Sequence, residues 1–226
     1  MPTTDWLKKE FDYGYDSGNV TAWFPNKVRR QEEKKIGGSY RQVFNHAILP
    51  HLKSDSSVME LGPGNGAWSR AILNSIPDGR LATIDYQDVT DWLNPDQYNG
   101  RLTCHQVRDN NFSCVEDGSI DFFWSMGVLC HNNQHHIYEI LRHSLTKMKP
   151  GAMACHQYSD WEKLDQFGWE RGGVPSEFQE LDDNEIWWPR NSQVEMKEIA
   201  ESAGWQVVST DLNLVQRDSM ILLMKP

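Results

Sequence analysis

Three glycines spaced two residues apart follow a short apolar run near position 60. The segment ELGPGNG begins at Glu60 and contains Gly62, Pro63, Gly64 and Gly66. Such a turn lets backbone N–H groups approach a ligand closely. Asp85 stands 23 residues after Gly62, at the end of the next apolar run. A carboxylate in this position can accept hydrogen bonds from both hydroxyl groups of a ribose. The pattern predicts a nucleotide-like ligand, and the alternative is a glycine-rich turn beside an unrelated surface carboxylate.

The spacing of the glycines disfavours a dinucleotide. A dinucleotide fold expects Gly-x-Gly-x-x-Gly under its pyrophosphate, whereas this loop is Gly-x-Gly-x-Gly and has Glu60 beside it. A carboxylate there would repel a pyrophosphate but would suit a ligand that carries an ammonium group. The chain also lacks a Tyr-x-x-x-Lys pair, since Tyr158 is followed by Glu162 in the lysine position. An NAD-dependent reductase or epimerase therefore remains only as an alternative.

Strand and helix patterns alternate around this loop. Apolar, β-rich runs predict strands over 57–61, 80–86, 101–107, 119–129, 152–158, 205–214 and 219–224, and helical spacing predicts helices over 68–76, 134–148 and 192–203. This alternation implies an α/β fold with a doubly wound sheet. About four residues separate the last two strands, which is too short for a parallel crossover, so they are expected to form an antiparallel hairpin.

Five segments, in order, resemble the class I S-adenosylmethionine-dependent methyltransferases. They are VMELGPGNG (58–66), ATIDY (82–86), VRDNNF (107–112), DGSIDFFWSMGVLCH (117–131) and KMKPGA (147–152). The resemblance implies a Rossmann-like, doubly wound seven-stranded sheet with a C-terminal antiparallel hairpin. It divides the chain into an N-terminal helical cap, residues 1–54, and an S-adenosylmethionine-binding domain, residues 55–226. A lid insertion follows the fifth strand at 160–191.

The resemblance also implies the residues that hold S-adenosyl-L-methionine. Glu60, Gly62, Pro63, Gly64 and Gly66 would surround its methionine and ribose part. Asp85 would bind the ribose hydroxyls, with Tyr86 beside the adenine. Asp109 and Asn110 would reach the adenine amino edge. Ser125 and Met126 would line the cofactor from the end of the fourth strand.

Two histidines are the candidate general bases for a hydroxyl acceptor. His131 stands where the family often has a histidine after its fourth strand, and His156 and Asp160 lie at the carboxyl edge of the sheet, where ligands bind. The alternative for each is a structural role. No metal site is expected, because the adjacent His135 and His136 point apart at a helix start. The four cysteines form no Cys-x-x-Cys pair, so we expect ordinary thiols.

The segment 160–191 combines aromatic rings with acid. It carries nine acidic and three basic residues and four tryptophans. A loop of this length is often a lid or a binding loop, and indole faces and carboxylates would suit a hydroxyl-rich or cationic acceptor. The alternative is a second small apolar cluster with a charged exterior. The residues predicted to bind substrate are Tyr13, Tyr15, Trp23, Trp161, Trp169, Trp187 and Trp188.

The N-terminal segment is basic, with nine basic and six acidic residues in 1–53. Its run KVRRQEEKK (27–35) is typical of a solvated helix face, and the alternative is a clamp for an anionic group. The following IGGSY (36–40) offers glycines that a closing cap could use as a hinge.

Composition limits the partners. With 22 Lys and Arg against 32 Asp and Glu, the net charge of −10 disfavours nucleic acid or an anionic membrane as a partner. No apolar run spans a membrane, and MPTTDWLKK is unlike a signal peptide, so a cytoplasmic protein is expected. The prediction is methyl transfer to an oxygen or nitrogen of a small molecule, such as a sugar or a natural-product intermediate. A non-catalytic cofactor-binding protein is the second alternative, and a homodimer is left open.

Overall fold

The computed structural model describes residues 17–226, which form one seven-stranded sheet with helices on both faces. The strands are β1 (Ser57–Leu61), β2 (Arg80–Asp85), β3 (Leu102–Gln106), β4 (Ile120–Ser125), β5 (Met148–Tyr158), β6 (Gln206–Ser209) and β7 (Ser219–Met224). Their order across the sheet is β3-β2-β1-β4-β5-β7-β6. Strands β1 to β5 pair in parallel, and β7 pairs antiparallel with both β5 and β6. The predicted fold class and its C-terminal hairpin are confirmed.

The helices follow the predicted alternation. They are α1 (Lys27–Ile36), α2 (Tyr40–Val43), α3 (Ala67–Ser75), α4 (Thr90–Leu93), α5 (Gln134–Lys147), α6 (Trp161–Phe167), α7 (Trp169–Gly172) and α8 (Gln193–Ser202). A π-helical turn, Phe44–Ile48, extends α2, and short 3-10 turns lie at Leu49–His51, Pro95–Tyr98, Leu129–His131 and Ser176–Glu180. Ser192 caps α8: its hydroxyl oxygen accepts a hydrogen bond from the Glu195 N–H at 3.3 Å, and its O–H donates to the Glu195 carboxylate at 3.0 Å.

Two apolar layers cover the sheet because its central strands are buried on both faces. One layer contains Trp68 of α3 and Trp124 of β4, and the described part of the cap joins it through Val20, Ile36 and Tyr40. The other contains Phe123 of β4 and the inner faces of α5 and α8. The described part of the cap therefore shares its core with the sheet.

Two boundaries differ from the sequence expectation. Residues 149–151, expected to separate the helix over 134–148 from the strand over 152–158, lie inside β5, whose pairing with β4 shifts register between Ile120 and Phe122. Strand β6 ends at Ser209, so the connection to β7 runs over 210–218 and is longer than expected. The Asp211 side chain accepts hydrogen bonds from the N–H groups of Asn213 and Met220, which replace strand pairing in this connection.

The run 27–35 is largely a solvated helix face, as expected, with Arg30, Lys34 and Lys35 exposed. Arg29 is the exception, because it is buried and bonds to Glu33 at 2.8 Å and to two backbone carbonyls. The two glycines after α1 are packed closely: a Cβ at Gly37 would lie 2.5 Å from the Phe167 ring, and one at Gly38 would lie 2.5 Å from the carbonyl oxygen of Leu214. Their small size serves packing here, and not an open hinge.

None of the helices between residues 17 and 226 is long and apolar enough to cross a membrane.

Candidate cofactor and acceptor site

The glycine loop joins β1 to α3 at the carboxyl edge of the sheet. The Gly62 N–H donates to the carbonyl oxygen of Ile84 at 2.9 Å, which continues the pairing of β1 with β2 by one residue. The Gly66 N–H donates to the carbonyl oxygen of Pro63 at 2.9 Å and closes the turn. The loop is thereby held next to Asp85, the last residue of β2.

The glycines of this loop face different surroundings. All three have positive φ angles, which side chains other than glycine rarely adopt. A Cβ at Gly62 would lie 2.4 Å from Cγ2 of Val128, so this glycine permits close packing against the segment after β4. A Cβ at Gly64 would meet no atom within 4 Å. The loop therefore presents open backbone at Gly64, as a bound ligand requires.

Glu60 is buried beneath the loop. Its carboxylate accepts a hydrogen bond from the Ser69 hydroxyl of α3 at 2.5 Å. Burial raises the pKa of Glu60 to about 7, against the lowering effects of Ser69 and Arg70. This carboxyl group links the end of β1 to the first turns of α3 and sets the loop between them.

Asp85 and Gln87 form the next part of the site. The Asp85 carboxylate accepts a hydrogen bond from the Gln87 N–H at 2.8 Å, and burial raises its pKa to about 6. The amide nitrogen of the Gln87 side chain is buried without a hydrogen-bond partner in the described structure. A buried donor without a partner is costly, and an acceptor atom of a ligand would satisfy it. Gln87 was not predicted from the sequence.

The ends of β2 and β3 meet through two predicted residues. The Tyr86 hydroxyl donates to Oδ1 of Asn110 at 2.8 Å. Asp109 is exposed beside them and accepts a hydrogen bond from the Asn111 N–H at 3.1 Å. The tyrosine ring and the Asn110 amide are thus fixed to one another, with the Asp109 carboxylate adjacent.

Ser125 and Met126 lie at the end of β4, at the same edge of the sheet as the carboxyl ends of β1 and β2. Ser125 is fully buried at the end of β4, and its Oγ lies 2.8 Å from Nδ1 of His156 on β5. His156 is itself completely buried, packs its ring edge against Phe123, and has a pKa lowered to about 3 by burial. In this position the imidazole contacts Ser125 and the core, and no solvent-facing surface is available to it for an acceptor.

Asp160, the other candidate at this edge, is also buried in a structural network. Its carboxylate accepts hydrogen bonds from the Lys163 N–H at 3.3 Å, which caps α6, and from Ser219 at 2.6 Å. A further bond comes from Gln193 at 3.2 Å. These partners explain a carboxylate in the interior without a catalytic role.

His131 lies at the base of the lid and is half-buried. Its Nδ1 lies 2.8 Å from the carbonyl oxygen of Trp187. Because a carbonyl oxygen only accepts, Nδ1 carries the proton, and Nε2 is the basic nitrogen of the neutral ring. Its ring packs edge-on against Trp188 with centroids 5.1 Å apart. Burial lowers the pKa of His131 to about 4, so the imidazole is neutral at physiological pH.

The lid forms an apolar cluster of its own, which supports the alternative weighed for 160–191. Trp169 and Trp188 are buried in this cluster with Leu164, Phe178 and Cys130. Trp161 and Trp187 pack against it and remain half-exposed. The four predicted tryptophans are therefore brought together, with His131 at one side.

The charged partners of these rings come from the chain itself. Arg190 lies 4.4 Å above the Trp161 ring, and Arg217 lies 4.5 Å from the Trp188 ring centre. Lid carboxylates are likewise engaged: Asp165 accepts from Trp169 and Asp183 pairs with Arg190. Because these rings and carboxylates already have partners within the chain, they no longer support the expectation of a cationic acceptor.

The remaining predicted substrate residues belong to the cap. Trp23 is 70% exposed, and the Arg41 guanidinium lies 4.1 Å from its ring centre. Tyr13 and Tyr15 lie outside the described residues. Within residues 17–226, there is no group of three or more histidine, cysteine or acidic side chains arranged to hold a metal ion.

Comparisons with known proteins bear on the family and the fold of this chain. A family profile described as a methyltransferase domain matches residues 31–210. No curated protein sequence is significantly similar to this chain.

Solved structures share the fold at low sequence identity. A SAM-dependent methyltransferase from Aquifex aeolicus is 15% identical, with a TM-score of 0.63 over 88% of this chain and 96% of its own. A protein from Pyrococcus horikoshii is 9% identical, with a TM-score of 0.64 over 99% of this chain and 100% of its own.

A third solved structure contains ligands. It is a 1,6-didemethyltoxoflavin-N1-methyltransferase from Burkholderia thailandensis, with 1,6-didemethyltoxoflavin and S-adenosylhomocysteine bound. It is 11% identical, with a TM-score of 0.57 over 87% of this chain and 79% of its own. The family match covers most of the chain and all three structures share its fold, so the chain belongs to the methyltransferase-domain family and has the fold of the class I S-adenosylmethionine-dependent enzymes.

Proposed function

We propose that this methyltransferase transfers the methyl group of S-adenosylmethionine to an oxygen or nitrogen atom of a small molecule. The cofactor part of this proposal rests on the junction of β1 and β2. There the Gly62 N–H donates to the Ile84 carbonyl oxygen and holds the open loop beside Asp85. A single ligand can therefore contact backbone at Gly64 and the carboxylate at Asp85.

The polar groups of the site match the parts of this cofactor. Asp85 accepts hydrogen bonds from the two ribose hydroxyls, and the unpartnered amide of Gln87 donates to the same nucleoside. Tyr86 and Asn110, joined at 2.8 Å, lie at the adenine side. Glu60 favours the ammonium group of the methionine part, since its carboxyl group lies beneath the loop.

When bound, S-adenosylmethionine supplies an electrophilic methyl group, so the protein has to align an acceptor atom and exclude water. His131 is the proposed base for a hydroxyl acceptor. Its Nδ1–H is held by the Trp187 carbonyl, which orients the ring and leaves Nε2 as the proton acceptor. An amine acceptor would need only to arrive in its neutral form.

The lid supports a small acceptor over a macromolecule. Its aromatic cluster packs beside His131, which follows β4 at the carboxyl edge of the sheet. Aromatic faces of this kind suit a sugar or a natural-product intermediate, and the Burkholderia thailandensis structure is named for methylation of a small molecule. For His156 we propose a positioning role behind Ser125, because its ring is buried.

The test is a mass-spectrometric screen of hydroxyl- and amine-bearing small molecules with S-adenosylmethionine labelled in its methyl group. The expected product carries one labelled methyl group, and at subsaturating S-adenosylmethionine its formation is reduced in Asp85→Asn. Cofactor binding without turnover across the library would favour the non-catalytic alternative. Preferential binding of NAD would favour the reductase or epimerase alternative.

A further inference from the structure

A chain of buried hydrogen bonds leads from the segment after β4 to the lid. It begins at the Gly127 N–H, which donates to Oε1 of Gln157 on β5 at 2.7 Å. The Gln157 amide then donates to Oδ2 of Asp218 at 2.6 Å. Gln157 is 1% exposed and Asp218 is fully buried. The two side chains thus join a loop backbone to a charged group in the protein interior.

The Gly127 end of this hydrogen-bond network lies next to the glycine loop of the cofactor site. The next residue, Val128, packs so closely against Gly62 that a Cβ there would lie 2.4 Å from Cγ2 of Val128. Met126, the residue before Gly127, is one of the residues proposed to line the cofactor. The position of Gly127 is therefore linked to that of the glycine loop.

The Asp218 end reaches the lid through Arg217. The Arg217 guanidinium donates to Asp218 at 2.8 Å through Nη2 and to the Gly172 carbonyl of α7 at 2.8 Å through Nη1. The same group lies 4.5 Å from the ring centre of Trp188. One cation thus contacts the helix and the aromatic cluster of the lid.

Such a network is costly unless every member is satisfied. A buried carboxylate requires a partner for its charge, and a buried amide requires both a donor and an acceptor partner. Gln157 meets this requirement only in the orientation that accepts from Gly127 and donates to Asp218. Removal of one member leaves buried groups unpaired, so the network tolerates few relative positions of loop and lid.

We propose that Gln157 and Asp218 are positioning residues that hold the lid in a fixed relation to the cofactor loop, so that cofactor binding at the loop also orders the lid. This inference rests on the proposed function, because it takes the lid as the acceptor side of the site. The pair touches neither reactant and acts through Gly127 on one side and Arg217 on the other.

The test compares amide hydrogen exchange in the full chain with and without saturating S-adenosylhomocysteine. In the wild type, the ligand is expected to slow exchange about tenfold both at 125–128 and in the lid at 161–190. In Gln157→Leu, which removes both hydrogen bonds, slowing at 125–128 is expected to persist and slowing in the lid to disappear.

A second set of variants keeps the shape of the pair. Gln157→Glu places a carboxylate against Asp218, and Asp218→Asn removes the charge that holds Arg217. In each variant, ligand binding is expected no longer to slow amide exchange in the lid. The double substitution Q157E and D218N leaves a single carboxylate, which can accept a hydrogen bond from the new amide at position 218, so it is expected to recover part of the ligand-dependent lid protection.

Trp205→Phe is the matched control for general destabilisation. It removes a buried hydrogen bond from the indole to Leu141, and both residues belong to the apolar layer formed by α5 and α8, not to the lid cluster. Its lid is expected to respond to the ligand like the wild type. Equal lid protection in the wild type and in the Gln157 and Asp218 variants would overturn the inference, as would a wild-type lid that does not respond. Failure of the wild type to bind S-adenosylhomocysteine would overturn the proposed function and this inference with it.

Discussion

His156 Nδ1 lies 2.8 Å from Oγ of Ser125, across the pairing of β5 with β4. This contact places the imidazole behind a serine that ends β4, and not in front of it where an acceptor would bind. Because His156 is fully buried and its Nε2 has no hydrogen-bond partner in the described structure, the ring is held neutral. The two catalytic candidates from the sequence thus receive different roles: His131 as the proposed base and His156 as a support for Ser125.

The buried His156 should contribute stability that depends on pH. Its pKa is lowered to about 3 in the folded protein, whereas an unfolded histidine has a pKa of about 6.5. The unfolded state therefore binds more protons below pH 6.5, and the contribution of His156 to stability is lost as the pH falls toward 3. From pH 7.5 to pH 5 this loss is about 2 kcal/mol.

His156→Asn isolates this effect, since groups common to both proteins cancel in the comparison. The variant is expected to be less stable than the wild type at pH 7.5, and its deficit is expected to shrink by about 2 kcal/mol at pH 5. Urea unfolding at both pH values measures the deficit. A deficit independent of pH would contradict the account, and His46→Asn on the exposed surface serves as control.

Asp85→Asn should weaken the binding of S-adenosylhomocysteine by about 1–3 kcal/mol, because an amide replaces the carboxylate that we propose accepts hydrogen bonds from both ribose hydroxyls. The pKa of Asp85 is raised to about 6, so the wild-type affinity should decline as the pH falls below 6 and the carboxylate is protonated. The variant should lack this part of the pH dependence. Calorimetry at pH 8 and pH 5 checks both expectations. Asp88→Asn, at an exposed position, is the matched control, and its affinity for S-adenosylhomocysteine is expected to be unchanged.

Two glycines of the loop should respond differently to alanine. At both positions the positive φ costs about 1 kcal/mol in a residue with a side chain. Gly62→Ala also drives a Cβ into Val128, so it should lower the melting temperature more than Gly64→Ala does. Gly64→Ala places its methyl group in open space, where the cofactor is proposed to lie. It should therefore lose ligand affinity with a smaller loss of stability, and the reverse order of the two variants would argue against the proposed cradle.

His131→Asn tests the proposed base once a hydroxyl acceptor is found. The amide can still donate to the Trp187 carbonyl, but it lacks a basic nitrogen in the place of Nε2. Turnover should fall about 10²-fold or more, while the affinity for S-adenosylhomocysteine stays unchanged. Because burial lowers the pKa of His131 to about 4, the wild-type rate should show no loss of the base between pH 8 and pH 5. A threefold effect or less on turnover would remove His131 from the mechanism.

The sequence predicts the sheet well because its signals are local. The apolar runs that became β1, β2 and β4 end at the glycine loop, Asp85 and Ser125, so the carboxyl edge could be assembled from the order of the strands alone. The antiparallel end of the sheet also follows from a connection too short for a crossover, although β6 ends earlier than its apolar residues suggest.

The contacts between distant segments could not be predicted in this way. Arg217 and Asp218 stand in the short connection predicted between the last two strands, and they link the lid to Gln157. Arg190 and Arg217 cover the rings of Trp161 and Trp188, which changes how the acidic lid is interpreted. Both results depend on which charged side chain meets which ring, and a single sequence carries no signal for such pairs.

The most direct test of the account is calorimetric titration of the purified chain with S-adenosylhomocysteine and, separately, with NAD. We expect one molecule of S-adenosylhomocysteine to bind per chain, with affinity reduced by Asp85→Asn, and NAD to bind far more weakly. Preferential binding of NAD, or equal binding of S-adenosylhomocysteine by the wild type and Asp85→Asn, would contradict the assignment of this site.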